Sequence, residues 1–178
     1  MSSSTPSTRH PSVDDWRVGV WRSFLRAHAS MLRELERELV AGTQMPLAWY
    51  DVLLQLAEAP QRRLRMAGLA DRVLLSRSGL TRLVDRLQAG GLVAREPSPE
   101  DARGTFTVLT DAGLARLRRA APTHVTGIQQ HWLAHFDDDE LRLLGELLGR
   151  LDTARQADTA GQADSTGQAD SAQSRSRE

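Results

Sequence analysis

The chain has 178 residues, a formal net charge of zero and no cysteine. Its length suits one ordinary domain with a real hydrophobic core. The lack of cysteine excludes disulfides, thiolate nucleophiles, zinc–cysteine sites and thiol redox sensing. No apolar run approaches the roughly 20 residues of a membrane-spanning helix, and the Ser/Thr/Pro-rich start lacks the apolar stretch of a signal peptide. We therefore expect a soluble cytoplasmic protein without a membrane partner.

The neutral total conceals an uneven distribution of charge. All 23 basic residues are arginine. Residues 62–95 hold eight arginines against two aspartates, a local balance of +6, whereas residues 137–178 hold ten acidic residues against five arginines. A basic segment of this kind is typical of proteins that bind a polyanion. On charge alone, the alternative is a solvated surface of salt bridges.

The first predicted helix runs from Val13 to about Val40 and carries two apolar stripes. One stripe consists of Val13, Trp16, Val20, Phe24, Met31, Leu35 and Leu39, and the other of Trp21, Leu25, His28 and Leu32. Two stripes on one helix indicate two partners, namely its own domain and a second subunit. Gly42 is the expected C-terminal cap of this helix.

Three shorter helices are predicted next. The second helix begins in the turn of Pro46 and stops before Pro60. The third covers Met66–Leu74, and the fourth covers Arg77–Ala89 behind a Ser76 cap. The last two share an apolar spacing of i, i+3, i+4 and i+7, in Met66, Leu69, Ala70 and Val73 and in Leu80, Leu83, Val84 and Leu87.

Two extended segments follow the Gly90-Gly91 helix stop, at Leu92–Glu96 and Gly104–Leu109. The segment between them contains Pro97 and Pro99. Because proline fixes its own backbone angle, these residues should stiffen the loop and prevent a tight two-residue turn. The pattern therefore predicts a hairpin with a long, stiff loop.

Two further helices and two disordered ends complete the chain. Thr110 should cap a fifth helix that extends to about Phe136 and that Pro122 could kink. Acidic residues 137–140 favour the start of a sixth helix, whose expected core residues are Leu141, Leu144, Leu147, Leu148 and Leu151. The repeated Gln-Ala-Asp tail and the Ser/Thr/Pro-rich first eleven residues contain too little apolar surface to order.

The third helix, a short turn and the fourth helix form a predicted helix-turn-helix. With its apolar face committed to the core, the fourth helix exposes short hydroxyl donors and arginines. Residues near the N-terminus of such a helix lie deepest in the major groove of DNA. We therefore assign Arg77, Ser78 and Thr81 to bases, and Arg82 and Arg86 to phosphates. The alternative is an ordinary solvent-facing helix with similar residues.

The hairpin adds two further arginines to this basic surface. Arg95 lies at its base and Arg103 near its tip. An arginine on a stiff loop can enter a narrow minor groove, and Asp101 could brace the Arg103 guanidinium beforehand. The alternative for this pair is a surface ion pair worth under about 1 kcal/mol. A helix-turn-helix followed by a basic hairpin is more specific than either part alone.

Four spaced motifs resemble the MarR family of winged-helix transcriptional regulators: Leu80–Leu87, Gly90–Val93, Asp101–Gly104 and Val108–Gly113. The resemblance covers about residues 13–155. It implies a homodimer on a pseudo-palindromic operator, with the first, fifth and sixth helices at the dimer interface. It also implies that Arg103 enters the minor groove, oriented by Asp101. In many members, a small phenolic or anionic ligand between the dimer helices and the DNA-binding lobe releases the DNA. The members that sense peroxides through cysteine are excluded as models.

Aromatic residues of the first two helices are candidates for the wall of a ligand pocket, namely Trp16, Trp21, His28, Trp49 and Tyr50. The alternative for this group is core and interface packing, which tryptophan serves well. For His28, which lies within an apolar stripe, a core histidine is the preferred interpretation.

Metal binding and catalysis have weaker support. His131 and His135 are four residues apart on the predicted fifth helix and could hold a metal together, but two histidines without a third ligand are more often interface residues. Trp132 stands where a zinc protease motif has its glutamate. The chain has no phosphate-cradling glycine loop and no local nucleophile signature. We therefore expect no enzymatic activity, no metal and no cofactor.

The expected fold is mainly α, a winged helix-turn-helix with about six helices, a two- to three-stranded β-wing and a helical dimerisation region. Residues 43–110 are assigned to DNA binding, 12–42 and 111–155 to dimerisation, and 1–11 and 156–178 to disordered ends. The expected function is that of a nucleoid-associated homodimeric repressor of transcription that responds to a small aromatic or anionic effector. The alternative is a small-molecule-binding or sequestering dimer of the same fold that does not bind DNA.

Overall fold

The computed structural model describes residues 12–73, 75–98 and 101–151, without the side chains of residues 98 and 101–104. The predicted disordered arm and tail lie outside the described residues. The described elements are α1 (Trp16–Thr43), α2 (Leu47–Glu58), β1 (Arg63–Arg65), α3 (Met66–Ala70), α4 (Arg77–Ala89), β2 (Val93–Ser98), β3 (Asp101–Leu109), α5 (Asp111–His131) and α6 (138–151). These six helices and one three-stranded sheet confirm the expected fold class.

The chain divides into two units, residues 1–132 and 133–178. The first unit contains α1 to α5 and the sheet, and the second contains α6. Among the described residues, none of the helices combines the length and the apolar character needed to cross a membrane.

Helix α1 begins three residues later than its apolar pattern. Asp15 caps it, because the carboxylate of Asp15 accepts a hydrogen bond from the backbone N–H of Arg17 at 2.9 Å. Only the second half of α1 contributes to the core of the first unit, through the buried residues Leu35 and Leu39. The surroundings of the apolar residues therefore change along α1, and only those of its second half are buried in the core.

The prediction that Gly42 caps α1 is wrong. Gly42 lies inside the helix, and Gln44 ends it in a left-handed conformation with φ at 54°. The side chain of Arg116, from α5, caps the carbonyl oxygens at this end. Its Nη2 donates hydrogen bonds to the carbonyl oxygens of Thr43 and Gln44, at 2.5 and 3.1 Å. A cation at this end also suits the helix dipole.

Helix α2 begins after Pro46, as predicted, and borrows its cap from α1. Proline has no side-chain acceptor, so the carboxylate of Glu36 accepts the hydrogen bond of the Leu47 N–H at 2.5 Å. After α2, a short 3₁₀ turn holds Gln61 and Arg62 in left-handed conformations, with φ at 55° and 53°. This turn leads into β1, which the sequence pattern did not mark as a separate strand.

Of the two helices of the helix-turn-helix, α4 has the predicted bounds, whereas the predicted end of α3 is wrong. Helix α4 covers the predicted residues, and the Ser76 hydroxyl accepts the Gly79 N–H at 3.2 Å. Helix α3, expected to reach Leu74, already ends at Ala70. Val73 is nevertheless buried, because the turn after α3 brings it to the core. The apolar spacing of the sequence therefore continues past the end of α3.

The core of the first unit joins the helix-turn-helix to the long helices. Residues of α4 are packed with residues of α1, α2, α3, α5 and the sheet, including Leu39, Leu53, Leu56, Leu69, Leu80, Leu87, Leu109 and Leu117. Helix α4 therefore shares one close-packed hydrophobic core with α1 and α5.

The sheet has the strand order β1-β3-β2, with both pairs antiparallel. Both predicted strands are present, but the long loop predicted between them is wrong. The backbone of Ser98 pairs with that of Asp101, which leaves two residues between the strands. A register shift between Pro97 and Ser98 accommodates the additional residues of β3. Strand β2 lies at an edge, where the missing N–H of Pro97 is tolerated.

Helix α5 begins at its predicted cap, because the Thr110 hydroxyl accepts the Gly113 N–H at 3.0 Å. It continues through Pro122 and ends at His131, five residues before the predicted end. It packs against α1 at Gly127. A Cβ at this position would lie 2.6 Å from Leu35 Cδ2 and 2.8 Å from Glu38 Oε2, so a larger residue would require these two side chains of α1 to move.

The second unit begins with a 3₁₀ turn, Leu133–His135, and continues as α6. Asp137 caps α6, because its Oδ1 accepts the N–H groups of Asp139 and Glu140 at 3.0 and 2.9 Å. The prediction that α6 buries five leucines is wrong for the isolated chain. Leu141 and Leu144 are half-buried, and the exposed ones are Leu147, Leu148 and Leu151.

Candidate nucleic-acid interface and ligand cavity

Helix α4 separates apolar from polar residues completely. Leu80, Leu83, Val84 and Leu87 are at most 3% exposed. The five side chains that the sequence assigned to DNA are all exposed, namely Arg77, Ser78, Thr81, Arg82 and Arg86. The burial of one face fixes the rotation of the helix, so the opposite face is a rigid platform for its polar groups.

The polar groups of this face differ in their availability. Within the described residues, Arg77, Arg82 and Arg86 have no carboxylate partner. The Thr81 hydroxyl donates to the carbonyl oxygen of Arg77 at 3.0 Å, and the Ser78 hydroxyl lies 3.4 Å from that of Ser76. Three guanidinium groups are therefore available for an external anion or a base edge.

Arg95, the arginine at the base of the hairpin, is held by α4 itself. Its Nη2 lies 2.5 Å from Oδ1 of Asp85, and both side chains are substantially exposed. This pair links β2 to the polar side of α4. Arg103 and Asp101 belong to β3 by their backbone, but their side chains lie outside the described ones. The predicted bracing of Arg103 by Asp101 thus stays a prediction.

Strand β1 forms a basic sheet edge that was not among the site residues predicted from the sequence. The guanidinium carbons of Arg63 and Arg65 lie 4.8 and 5.3 Å from the ring centre of Phe106 on β3. Arg62, just before the strand, lies 3.4 Å from the Asp111 carboxylate. The signal was the run of three arginines in residues 62–65, which contributed to the local charge but has no strand periodicity.

A cavity of about 970 Å³ lies among α1, α2 and α5 of the first unit. Its wall is mainly apolar and includes Leu35, Leu54 and Ile128. Arg72 and Leu75, from the turn between α3 and α4, also line it. A molecule in this cavity would therefore contact both the long helices and the turn of the helix-turn-helix.

Of the five aromatic candidates for a ligand pocket, Tyr50 lines this cavity, and the other four do not. Trp16 and Trp21 are 73% and 57% exposed on the first half of α1. The ring of His28 lies 6.0 Å from that of Phe24 on the same helix. Trp49 packs against the core. The five residues were candidates because of their ring side chains and their positions on the first two helices, but tertiary packing decides which of them reach the cavity.

Tyr50 is in contact with a residue that the site assignment did not include, His124 of α5. Their ring centres are 4.3 Å apart. Burial lowers the pKa of His124 and raises the pKa of Tyr50, to which the nearby Glu58 also contributes. Burial likewise raises the pKa of Asp51, the next residue of α2, although a hydrogen bond from Gln55 opposes this shift. Low polarity thus favours the uncharged form of all three groups.

The predicted histidine pair on the fifth helix is wrong. His131 is the last residue of α5, whereas His135 belongs to a 3₁₀ turn in the second unit. The Nε2 of His131 lies 2.8 Å from Oε1 of Glu38, which joins the end of α5 to α1. Within residues 12–73, 75–98 and 101–151, no three histidine, aspartate or glutamate side chains are grouped as a metal site would require.

Comparisons with known proteins agree with this arrangement. A model of the MarR family matches residues 43–104, from the end of α1 into β3. The transcriptional repressor YetL of Bacillus subtilis is 30% identical over 114 residues, which cover 62% of this chain and 68% of YetL. The chain belongs to the MarR family. The resemblance inferred from the spaced motifs is therefore confirmed.

Two solved structures of MarR-family transcriptional regulators from Streptomyces coelicolor extend the likeness to most of the fold. Sco3205, solved in complex with DNA, is 36% identical with a TM-score of 0.72, over 83% of this chain and 91% of that one. AbsC is 29% identical with a TM-score of 0.73, over 84% and 99% of the two chains. The likeness to these MarR-family regulators thus includes the helices that flank the winged helix-turn-helix.

Proposed function

We propose that this MarR-family regulator is a homodimeric repressor that binds a pseudo-palindromic DNA operator through α4 and the β2–β3 hairpin. The observation that carries the proposal is the exposed face of α4. It combines the hydroxyl of Ser78 with the guanidinium groups of Arg77, Arg82 and Arg86, which have no carboxylate partner in the described part of the chain. Arginine pairs with guanine edges and with phosphates, and a helix of this size fits the major groove.

The role of the hairpin in this proposal comes from the sequence. Arg103 enters the minor groove beside α4, and Asp101 orients it. Arg95 remains attached to Asp85 and thereby holds the base of the hairpin near the major groove. Sco3205 itself was solved in complex with DNA, which supports a DNA-binding role for the region that the two proteins share. We therefore propose residues 43–110 as the DNA-binding domain.

Exposed apolar residues support the proposed dimer. The first half of α1 exposes Val20, Trp21, Phe24 and Leu25, each at least 43% accessible. Independently, α6 exposes Leu143, Leu147, Leu148 and Leu151. Contiguous apolar surface of this kind is typical of protein–protein interfaces. We propose residues 12–42 and 111–155 as the dimerisation region, so that two copies of α4 would face two half-sites.

The cavity supports control of DNA binding by a small molecule. Its volume lies at the upper end of the range for ligand pockets, about 300–1,000 Å³. Arg72 and Leu75 bring the turn of the helix-turn-helix to its wall. A ligand that displaces this turn would change the orientation of α4, and its affinity difference between the two orientations would set the change in DNA binding.

The direct test first selects a DNA duplex that the protein binds from a random pool. The affinity of the protein for this labelled duplex is then measured by fluorescence anisotropy. Arg82→Ala should weaken binding to all duplex sequences alike and lower the slope of log K against log[salt] by about 1, because one phosphate contact is lost. Arg119→Ala, an equal loss of charge at an exposed position of α5, should have a much smaller effect. Equal affinity of the wild type and the Arg82 variant would contradict the proposed interface. Selection of no duplex, together with ligand binding in the cavity, would favour the alternative of a sequestering dimer.

A further inference from the structure

Two polar groups of the cavity wall lack a protein partner. The Tyr50 side chain is 4% exposed, yet its hydroxyl makes no hydrogen bond within the described residues. His124 packs against it, and the Nδ1 of His124 is fully buried without a partner in the same part of the chain. Buried polar groups are nearly always hydrogen-bonded in native proteins. The Nδ1 of His124 is a buried atom without such a bond in the described residues, and the Tyr50 hydroxyl beside it is a polar group of the cavity wall with which a ligand can pair.

The environment of His124 determines which hydrogen bond it offers. A proton on the sealed Nδ1 would be a buried donor without an acceptor, which is costly. The neutral tautomer with its proton on Nε2 leaves an unpaired acceptor at Nδ1 instead of an unpaired N–H, and burial, which lowers the pKa of His124, opposes the doubly protonated form. The Nε2 N–H is then a donor, and the Tyr50 O–H is a second one beside it. Two neutral donors are suited to one acceptor oxygen.

The charged groups of the cavity do not create an anion site next to these donors. Arg37 is paired with Glu34 at 2.6 Å, and Glu36 is occupied by the Leu47 N–H. Arg33 and Arg72 are exposed to water, where an ion pair gains little. The remaining wall is mainly aliphatic. An uncharged compound therefore matches the cavity better than a carboxylate does.

We propose that the cavity binds an uncharged, largely apolar compound whose carbonyl oxygen accepts hydrogen bonds from Tyr50 Oη and His124 Nε2. This inference rests on the proposed control of DNA binding by a ligand, and it specifies the chemical class of that ligand. Of the aromatic and anionic effectors expected from the sequence, it excludes the anionic ones, because the inner wall offers uncharged donors and the cations lie in water.

Three naphthalenes of similar size test the proposal by equilibrium dialysis against the full chain. They are 2-acetylnaphthalene with a carbonyl, 2-ethylnaphthalene without an acceptor, and 2-naphthoate with a carboxylate. The acetyl compound should bind about threefold to tenfold more tightly than the ethyl compound, the gain typical of one or two hydrogen bonds. Tyr50→Phe should reduce this ratio and leave binding of the ethyl compound unchanged, since the ring remains.

Two results of the comparison between compounds would overturn the proposal. One is tighter binding of 2-naphthoate than of 2-acetylnaphthalene, lost in Arg72→Ala, which would assign the cavity to anions. The other is an unchanged ratio of acetyl to ethyl binding in Tyr50→Phe. Anisotropy measurements with the selected duplex distinguish a failure of the proposed ligand class from a failure of the proposed function. If DNA binding is intact and the acetyl compound does not bind, the ligand class is wrong. If the compound binds without altering DNA affinity, the ligand class stands and the effector role is wrong.

Discussion

Helix α4 and the first half of α1 are both amphipathic, but they expose opposite chemistry. The apolar stripe of α4 is buried in its own chain, and its arginines are in solvent. The first half of α1 leaves Trp16 and Trp21 more than half exposed. The same periodicity therefore has two outcomes. A stripe shows that a face is apolar, and only the packing of the chain shows whether the chain itself covers it.

The largest expected effect follows from truncating the buried stripe. Leu80→Ala removes a fully buried side chain of α4 and should lower the free energy of unfolding by about 2–5 kcal/mol. Urea denaturation followed by circular dichroism measures this difference, which should not depend on protein concentration. The matched control is Leu151→Ala on α6, where the leucine is 67% exposed. If both variants lost a similar amount of stability at low protein concentration, the buried leucines of α4 and the exposed leucines of α6 would not differ in their contribution to folding.

The exposed stripe should matter for association rather than for folding of the single chain. Trp21→Ala should weaken the proposed dimer by about 2 kcal/mol or more, because buried tryptophans dominate interface energies. Sedimentation equilibrium measures the dimer dissociation constant, with Ser30→Ala, an exposed polar position on the same helix, as the control. If Trp21→Ala leaves that constant unchanged, α1 does not form the interface in this region.

Local signals explain why α4 was predicted correctly and α3 and α5 were not. Helix α4 is bounded by a serine cap and two glycines, all within the helix ends. Helices α3 and α5 have no such stop. Their apolar spacing continues past Ala70 and His131, so the predicted ends were too late. Strand β1 depends on pairing with β3, more than 40 residues further along the chain, and no local pattern reveals such a pairing.

The exposed face of α4 and the cavity also differ in how far local sequence signals reveal them. All five positions predicted on α4 are exposed together, because one helix carries them. The cavity requires three helices and a turn to meet, and Tyr50 is the member of the aromatic candidates that reaches it. His124 was not among the residues that the sequence assigned to a ligand pocket. Its contact with Tyr50 arises from the packing of α5 on α2, which periodicity along one helix does not describe.

The DNA-binding surface should respond to single charges. Arg103→Ala should weaken operator binding by about 1–3 kcal/mol and should leave the unfolding free energy unchanged. The salt dependence separates its possible roles. Loss of a phosphate contact lowers the slope of log K against log[salt] by about 1. Anisotropy titrations at several salt concentrations give both quantities. Arg119→Ala controls for the overall loss of charge, and equal affinities at all salt concentrations would exclude Arg103 from the interface.

The smallest expected effect concerns the pair between Asp85 and Arg95, which connects the exposed face of α4 to the hairpin. Because both side chains are substantially exposed, a double-mutant cycle of Asp85→Ala and Arg95→Ala should give a coupling energy of only about 0.2–1 kcal/mol in the free protein. Measured on DNA affinity, the same cycle has a sharper meaning. If the pair positions the hairpin, the two substitutions should be less than additive, since either one releases the hairpin. Additive losses would show that Arg95 contacts DNA directly and that Asp85 acts separately.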